Sequence, residues 1–485
     1  MKNLHGGKLG GRGRLLRPLL AVTVALAACD FLDPTNVDNP RTTVEDLADA
    51  ENPTASLLAG LRAQFARLTG SQSVVGEVVS DNFSVHGTGL QKSFDFPRDV
   101  SPSLMNGTGS TTGLYWNAQE LKALANFVLD EIVPIDETAT AEDVAEAHYY
   151  RGMAYLVLGE NFSAAPVEPD GAPVAADGLL DLAVASFGEA AAFGVATTAA
   201  LARAHRLRGD AAAANAAAVA ALADPDFVVI QEYDATSVTN PPWSFLVSRA
   251  LQEMQPLPRL DFLDPKYLVR TQGIVVAKAE EMHLILAETA LAAGVLATAQ
   301  TQLRNAILLA QSRGTTTFDD EDLRKNGDLT LRPRDAVIEV RADPLSPYRS
   351  GLVLTRPGAV TQHEVSGTSL DGDSVAALTD IEELWHAFHL ARQEILFLEG
   401  RRMSDLGIRL PIMLREIDAN TSIAPGDPGT TAVVPAYIPV GDDMDLYTPA
   451  HPYDPDDGTL LETQITMLVD MNKVLADNLV SPFLN

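Results

Sequence analysis

The stretch TAALARAHRLRGDAAAANAAAVAALADP, residues 198–225, decides the fold. Ala199 to Leu207 reads as one helix, because Ala, Leu and Arg are strong helix formers and nothing in the run breaks the pattern. Arg208-Gly209-Asp210 turns the chain, with Asp210 as the N-cap of a second helix. That helix reads from Ala211 to Leu222, and Asp224-Pro225 stops it. A single helical hairpin cannot bury its own apolar face, so further hairpins must stack on it and share a continuous core.

Such hairpins recur on both sides. In EDVAEAHYYRGMAYLVLGE, residues 142–160, Val144, Ala147, Tyr150, Ala154, Tyr155 and Leu158 fall at helical spacing, with Gly159 as a stop. Gly152 and Ala154 are small enough to let a neighbouring helix come close. The partner is GLLDLAVASFGEAAAF at 178–193. A third copy begins at Ala277 with AKAEEMHLILAETALAAG and continues in VLATAQTQLRNAILLAQSRG. An earlier one spans Thr54 to Leu68 and Tyr115 to Ile132. The units run near the tetratricopeptide period of about 34 residues. The fold class is therefore all-α: a tetratricopeptide-like scaffold of helical hairpins with long irregular ligand-binding loops. Those loops are 70–114, 226–275, 311–380 and 417–465, and loops of such length are usually functional.

The composition suits a folded chain. Of 485 residues, 46% are hydrophobic and 21% charged, enough to bury a core. Lys and Arg number 35 against 65 Asp and Glu, a net charge of -30, which repels phosphate backbones and argues against nucleic acid as a partner. The single cysteine, Cys29, excludes an internal disulfide framework. It ends an export signal. Lys2, Lys8, Arg12, Arg14 and Arg17 form a basic start, and LLAVTVALAA, residues 19–28, is an apolar run too short to span a bilayer. Leu26-Ala27-Ala28-Cys29 looks like a bacterial lipobox, in which the chain is cut before the cysteine and the thiol carries lipid. The resulting organisation is a lipoprotein signal peptide at 1–28, a lipid-anchored tether at 29–45 and a helical repeat domain at 46–485.

Residues 382–410 read EELWHAFHLARQEILFLEGRRMSDLGIRL, with Leu398-Glu399-Gly400-Arg401-Arg402 followed by Asp405-Leu406. On a helix, Glu399, Arg402 and Asp405 would stand at i, i+3 and i+6 and pair in sequence as a structural ion network. With the lipobox and the hairpins, this segment resembles the SusD/RagB family of outer-membrane nutrient-binding lipoproteins. Their signature is Arg-x-x-Glu-Leu…Glu-Gly-x-Arg-x-x-Asp-Leu. Here Ile395 stands where the family has Glu, with Glu394 one position earlier, and Met403 replaces an aromatic residue. Tyr115-Trp116 with Asn126, and Ala287-Glu288, resemble other family helices. The resemblance implies an architectural role for Glu399, Gly400, Arg402 and Asp405. It also implies a lipid-anchored protein on the outer membrane, at the cell surface. Such a protein binds an oligosaccharide or peptide and delivers it to a SusC-like TonB-dependent transporter. The alternative is a tetratricopeptide-like lipoprotein that scaffolds envelope assembly, which needs a bare concave groove rather than a pocket made of loops.

Sugar binding requires aromatic faces beside polar groups. Trp243 in NPPWSF, Phe83 and His86 in DNFSVHG, and Phe94 in KSFDF are the candidate ligand-binding residues. Trp116 and Trp385 fall on predicted helices and read as core. Aromatics are only 6% of the chain, thin for a wide glycan platform, which leaves peptides open as ligands. No Gly-x-Ser-x-Gly elbow, P-loop or His-Glu-x-x-His occurs, and no catalytic residue is assigned. The Glu-x-x-His pairs Glu280/His283 and Glu383/His386 could serve a di-metal bundle only if brought together with further Glu. His386 and His389 have no evident third ligand. Asp442-Asp443-Met444-Asp445 and Asp454-Pro455-Asp456-Asp457-Gly458 are candidate Ca²⁺ loops, but they lack EF-hand spacing and read better as solvated acidic turns. No cofactor is assigned.

Overall fold

The computed structural model describes residues 51–85, 90–251, 253–323, 336–356, 358–440, 444, 446–450, 452, 454 and 459–484. Cys29, the signal peptide, the tether and His86 lie outside the described residues. So do Asp442, Asp443, Asp445 and residues 455–458 of the acidic loops.

The longer helices are α1 (Pro53–Val79), α2 (Leu114–Phe127), α3 (Ala141–Asn161), α4 (Ala176–Glu189), α5 (Val195–Leu207), α6 (Ala211–Ala221), α7 (Ala279–Ala292), α8 (Leu296–Ser312) and α9 (Ile381–Ile395). Each packs on the next in sequence, as stacked hairpins must. The local signals work as expected. Asp210 accepts from the Ala213 amide and starts α6. Thr140 and Asp143 close a capping box at the start of α3. At Gly152 an added Cβ would lie 2.5 Å from Phe187, so the glycine is what lets α4 approach α3.

Helix α1 runs on to Val79, beyond the expected end at Leu68, through Gly70 and Gly76. Tertiary packing overrides the weak propensity there. A Cβ on Gly70 would meet Pro241 at 2.4 Å, and one on Gly76 would meet the Gly400 backbone at 3.3 Å. The long segments are tied down by short strands. Phe83–Val85 pairs antiparallel with Met254–Pro256, Val228–Gln231 with Ile274–Lys278, and Thr315–Asp319 with Ala359–His363. Gln464–Met467 pairs parallel with Glu339–Arg341.

Residues 382–410 depart most from expectation. Helix α9 stops at Ile395, and the chain turns through Leu398 (φ 60°) and Gly400 (φ 70°) before a single turn of helix, α10 (Arg402–Asp405). Glu399, Arg402 and Asp405 therefore do not pair with one another. Glu399 accepts from Lys266 at 2.7 Å and from Lys278. The same two ammonium groups cap the Phe397 and Ile395 carbonyls at the frayed end of α9. Asp405 takes Arg392 through two bonds of 2.9 Å and Arg206 at 3.1 Å. Arg206 also holds Glu288, and Arg401 holds Glu281 at 3.2 Å. Arg401 is thus the arginine of this motif that reaches a carboxylate; the Arg402 guanidinium makes no hydrogen bond. Gly400 sits where a Cβ would lie 3.0 Å from the Gln72 backbone, so position 400 requires glycine for both its φ and its space.

Candidate functional site

An open cleft of about 470 Å³ lies between α1, α3 and the 230–238 segment. Its floor is the small-residue face of α1, Ala59, Ala63 and Ala66, and its walls carry Arg62, Tyr150, Glu232 and Asp234. Arg62 grips Glu146 through two 2.7 Å bonds, and Glu146 also accepts from the Tyr150 hydroxyl at 3.1 Å. The Glu146 hydrogen bond holds the Arg62 pKa above its ordinary value. Burial raises that of Tyr150, so its hydroxyl remains a donor. The opposite wall is pinned to α1, because the Tyr233 hydroxyl donates to the Ala66 carbonyl at 2.8 Å. Asp234 folds that wall on itself by accepting from Thr236 and Ser237, and the Ser237 hydroxyl bond leads in holding its carboxyl below the usual range. The cleft thus offers a guanidinium, carboxylates and hydroxyls around a small apolar floor, suited to a neutral polar ligand.

The same chain segment continues into Trp243. Asn240 accepts from the Trp243 amide at 2.8 Å, and the indole nitrogen donates to the Leu268 carbonyl at 3.0 Å. The ring is half-buried against the core, and the Arg270 guanidinium stands 5.8 Å from its centroid. Trp243 begins one turn of π-helix, Trp243–Val247, and such turns are frequent at functional sites. The ring therefore both anchors its loop and keeps a partly open face.

The other sequence candidates sit elsewhere. Phe83 is 0% exposed, stacks on Phe397 at 5.6 Å and belongs to the core. Phe94 is 1% exposed in the same core. Neither ring is open to a ligand, because a short strand and a short helix are covered here in a way that loop-like flanking residues do not reveal. Trp116 errs the other way. It lies on α2 as expected but is 39% exposed, since the buried face of α2 is carried by Tyr115, Ala118 and Leu121. Trp385 is core, as expected. The cleft residues Arg62, Tyr150, Glu232 and Asp234 were missed. Tyr150 read as a packing position, and no local signal joins residue 62 to residue 234.

The Glu-x-x-His motifs stay apart. Glu280 is locked to Arg313, His283 bonds Gln302 at 2.8 Å, and His386 bonds Asp470 at 2.7 Å. Among the described residues no group of three or more His, Cys, Asp or Glu is placed to hold a metal ion. Among them, too, no helix is long and apolar enough to cross a membrane.

No protein-family model matches the chain, and no curated protein matches it in sequence. Solved structures do. A SusD superfamily protein from Bacteroides vulgatus superposes with a TM-score of 0.50 at 13% identity, over 80% of this chain and 99% of that one. The chain has the SusD fold. A second SusD superfamily protein, from Bacteroides thetaiotaomicron, gives 0.49 at 14% identity over 77% and 97% of the two chains. A SusD-like carbohydrate-binding protein from Bacteroides vulgatus gives 0.47 at 13% identity over 73% and 82%.

Proposed function

We propose that this SusD-fold chain is a SusD/RagB-family lipoprotein, anchored through lipid on Cys29 at the outer surface of the outer membrane. It captures an oligomeric nutrient, a glycan in preference to a peptide, and hands it to a SusC-like TonB-dependent transporter. It acts by binding, with no catalytic residue and no metal or other cofactor. The observation that carries this reading is the SusD fold itself, matched across nearly the whole length of the Bacteroides vulgatus protein. The cleft supports the ligand class, since hydroxyl, carboxylate and guanidinium groups around Tyr150 can exchange hydrogen bonds with sugar hydroxyls. The loops favour a binder over a scaffold, because buried Tyr233, Lys266 and Tyr267 tie them down and the 230–238 segment walls the cleft.

Titration of the full chain against a panel of oligosaccharides and peptides tests the reading. Saturable glycan binding is expected, weakened by about 1–3 kcal/mol in Trp243→Ala, the loss typical of an interfacial aromatic residue. Binding of peptides alone would overturn the glycan assignment. An unchanged affinity in both Trp243→Ala and Glu232→Ala would move the site away from the cleft and from Trp243. Cys29→Ser should abolish lipid labelling and release the chain from membranes; a labelled, membrane-bound variant would refute the anchor.

A further inference from the structure

A second cavity, of about 540 Å³, lies where the ends of α3, α5 and α10 meet the start of α4, and residues 407–409, 435, 437 and 480–482 complete its wall. It shares no lining residue with the cleft beside α1. Most of the charges on its wall are spent. Arg206 holds Glu288 and Asp405, Arg203 holds Glu160, and Arg208 holds Asp181 at 2.5 Å. Arg409 is the exception. Among the described residues its guanidinium has no carboxylate within ion-pair distance, and its one hydrogen bond is a long contact of 3.5 Å from Nη1 to the Phe162 carbonyl.

Arg409 is half-buried, and burial pulls its pKa down, the mark of a charge short of water. It keeps its proton at neutral pH all the same, so most of its N–H donors are left to whatever enters the cavity. A planar fork of donors matches the two oxygens of a carboxylate better than it matches any neutral group. The other uncommitted groups on the wall are acceptors. The Asp177 carboxylate makes no hydrogen bond among the described residues. Tyr437, whose hydroxyl donates to the Leu406 carbonyl at 3.0 Å, keeps its oxygen free to accept. Acceptors call for hydroxyl donors on the rest of the ligand, and Asp177 repels a second carboxylate. The volume suits a molecule of about one or two sugar rings.

We propose that this cavity binds a small hydroxylated molecule bearing one carboxylate, of the hexuronic acid class, with the carboxylate on Arg409 and the hydroxyl groups toward Asp177 and Tyr437. The site is separate from the cleft beside α1. It adds an acidic sugar to the neutral ligand read there and does not rest on that reading.

The test is calorimetric titration of the full chain with D-glucuronate, D-glucose and galactarate at low salt. Glucuronate should bind saturably and about tenfold or more tighter than glucose, the gain from a hydrogen-bonded charge pair. Equal affinity for glucose, or no glucuronate binding, overturns the proposal. So does galactarate, a dicarboxylate, binding as tightly as glucuronate. Arg409→Gln should weaken glucuronate by about tenfold or more, and Arg409→Lys, which keeps the charge without the fork, should recover only part of the loss. Unchanged affinity in Arg409→Gln refutes the site. If Arg409→Gln does not fold, crystals of the unmutated chain soaked in glucuronate decide: a carboxylate against Arg409 upholds the site, and none there overturns it. Neutral oligosaccharides are titrated separately, so the cleft and this cavity can fail independently.

Discussion

Where α5 meets α6, Ala199 and Ala202 of the one and Ala214 and Ala218 of the other are buried in one apolar cluster, while the buried Arg203 and Arg206 of α5 pair with Glu160 and Glu288 outside α6. Where α9 runs into α10, the contacts are Arg392 and Arg206 on Asp405, Lys266 and Lys278 on Glu399, and Arg401 on Glu281, all buried. Both regions are dry, but they fail differently. A methyl removed from the first leaves a small void in an apolar seam. A carboxylate removed from the second leaves charges with no solvent to receive them. The hairpins are thus the tolerant part of the molecule, and the 395–405 segment is the lock.

The sharpest way to break this contrast is Asp405→Ala, which strands the Arg392 guanidinium and leaves Arg206 with Glu288 alone. It should cost about 3–5 kcal/mol in denaturant unfolding, the range for breaking a buried ion pair. A loss under 1 kcal/mol would mean that water reaches Arg392 and Arg206. The same carboxyl has a pH signature. Its pKa is held at about 2 against burial by Arg392 and Arg206. Its contribution is complete above the unfolded value near 4 and is lost as pH falls toward 2. Glu77 has the opposite sign. Burial raises its pKa to about 7, so the folded chain holds that proton more tightly than the unfolded chain. Its share of stability is complete below about pH 4 and declines as pH rises toward 7. Glu77→Gln should flatten the stability profile between about pH 5 and 7, and an unaltered slope there would exclude Glu77 as its source.

In the hairpin the effects shrink. Ala218→Leu overpacks the α5–α6 seam and should cost about 1–3 kcal/mol. Asp210→Ala removes the cap on Ala213 and should cost about 1 kcal/mol. If either matched Asp405→Ala, the distinction between a tolerant stack and a charged lock would fail. Calorimetric melts of the three variants, compared at neutral pH, give the order directly.

The sequence by itself determined the stacked hairpins, the turn at Gly209-Asp210 and the small residue at 152. Each depends on contacts within a few dozen residues, which periodicity and capping express locally. It also pointed to an ion network at the Glu399–Asp405 segment, but paired Glu399, Arg402 and Asp405 with one another, whereas Glu399 and Asp405 take distant partners. A continued helix was the local expectation, and the turn at Leu398 and Gly400 exists because Ser73 and Tyr267 donate to the Leu398 carbonyl and two distant lysines reach Glu399. The same holds for the cleft. Arg62, Tyr150 and Asp234 come together only when α1, α3 and a loop far along the chain pack, and no spacing in the sequence records a contact between residues so far apart. Tertiary structure alone decided which loop aromatics are covered, putting Phe83 and Phe94 in the core while leaving Trp116 and part of Trp243 at the surface. Burial is a property of what packs on top, and the residues flanking an aromatic ring do not encode it.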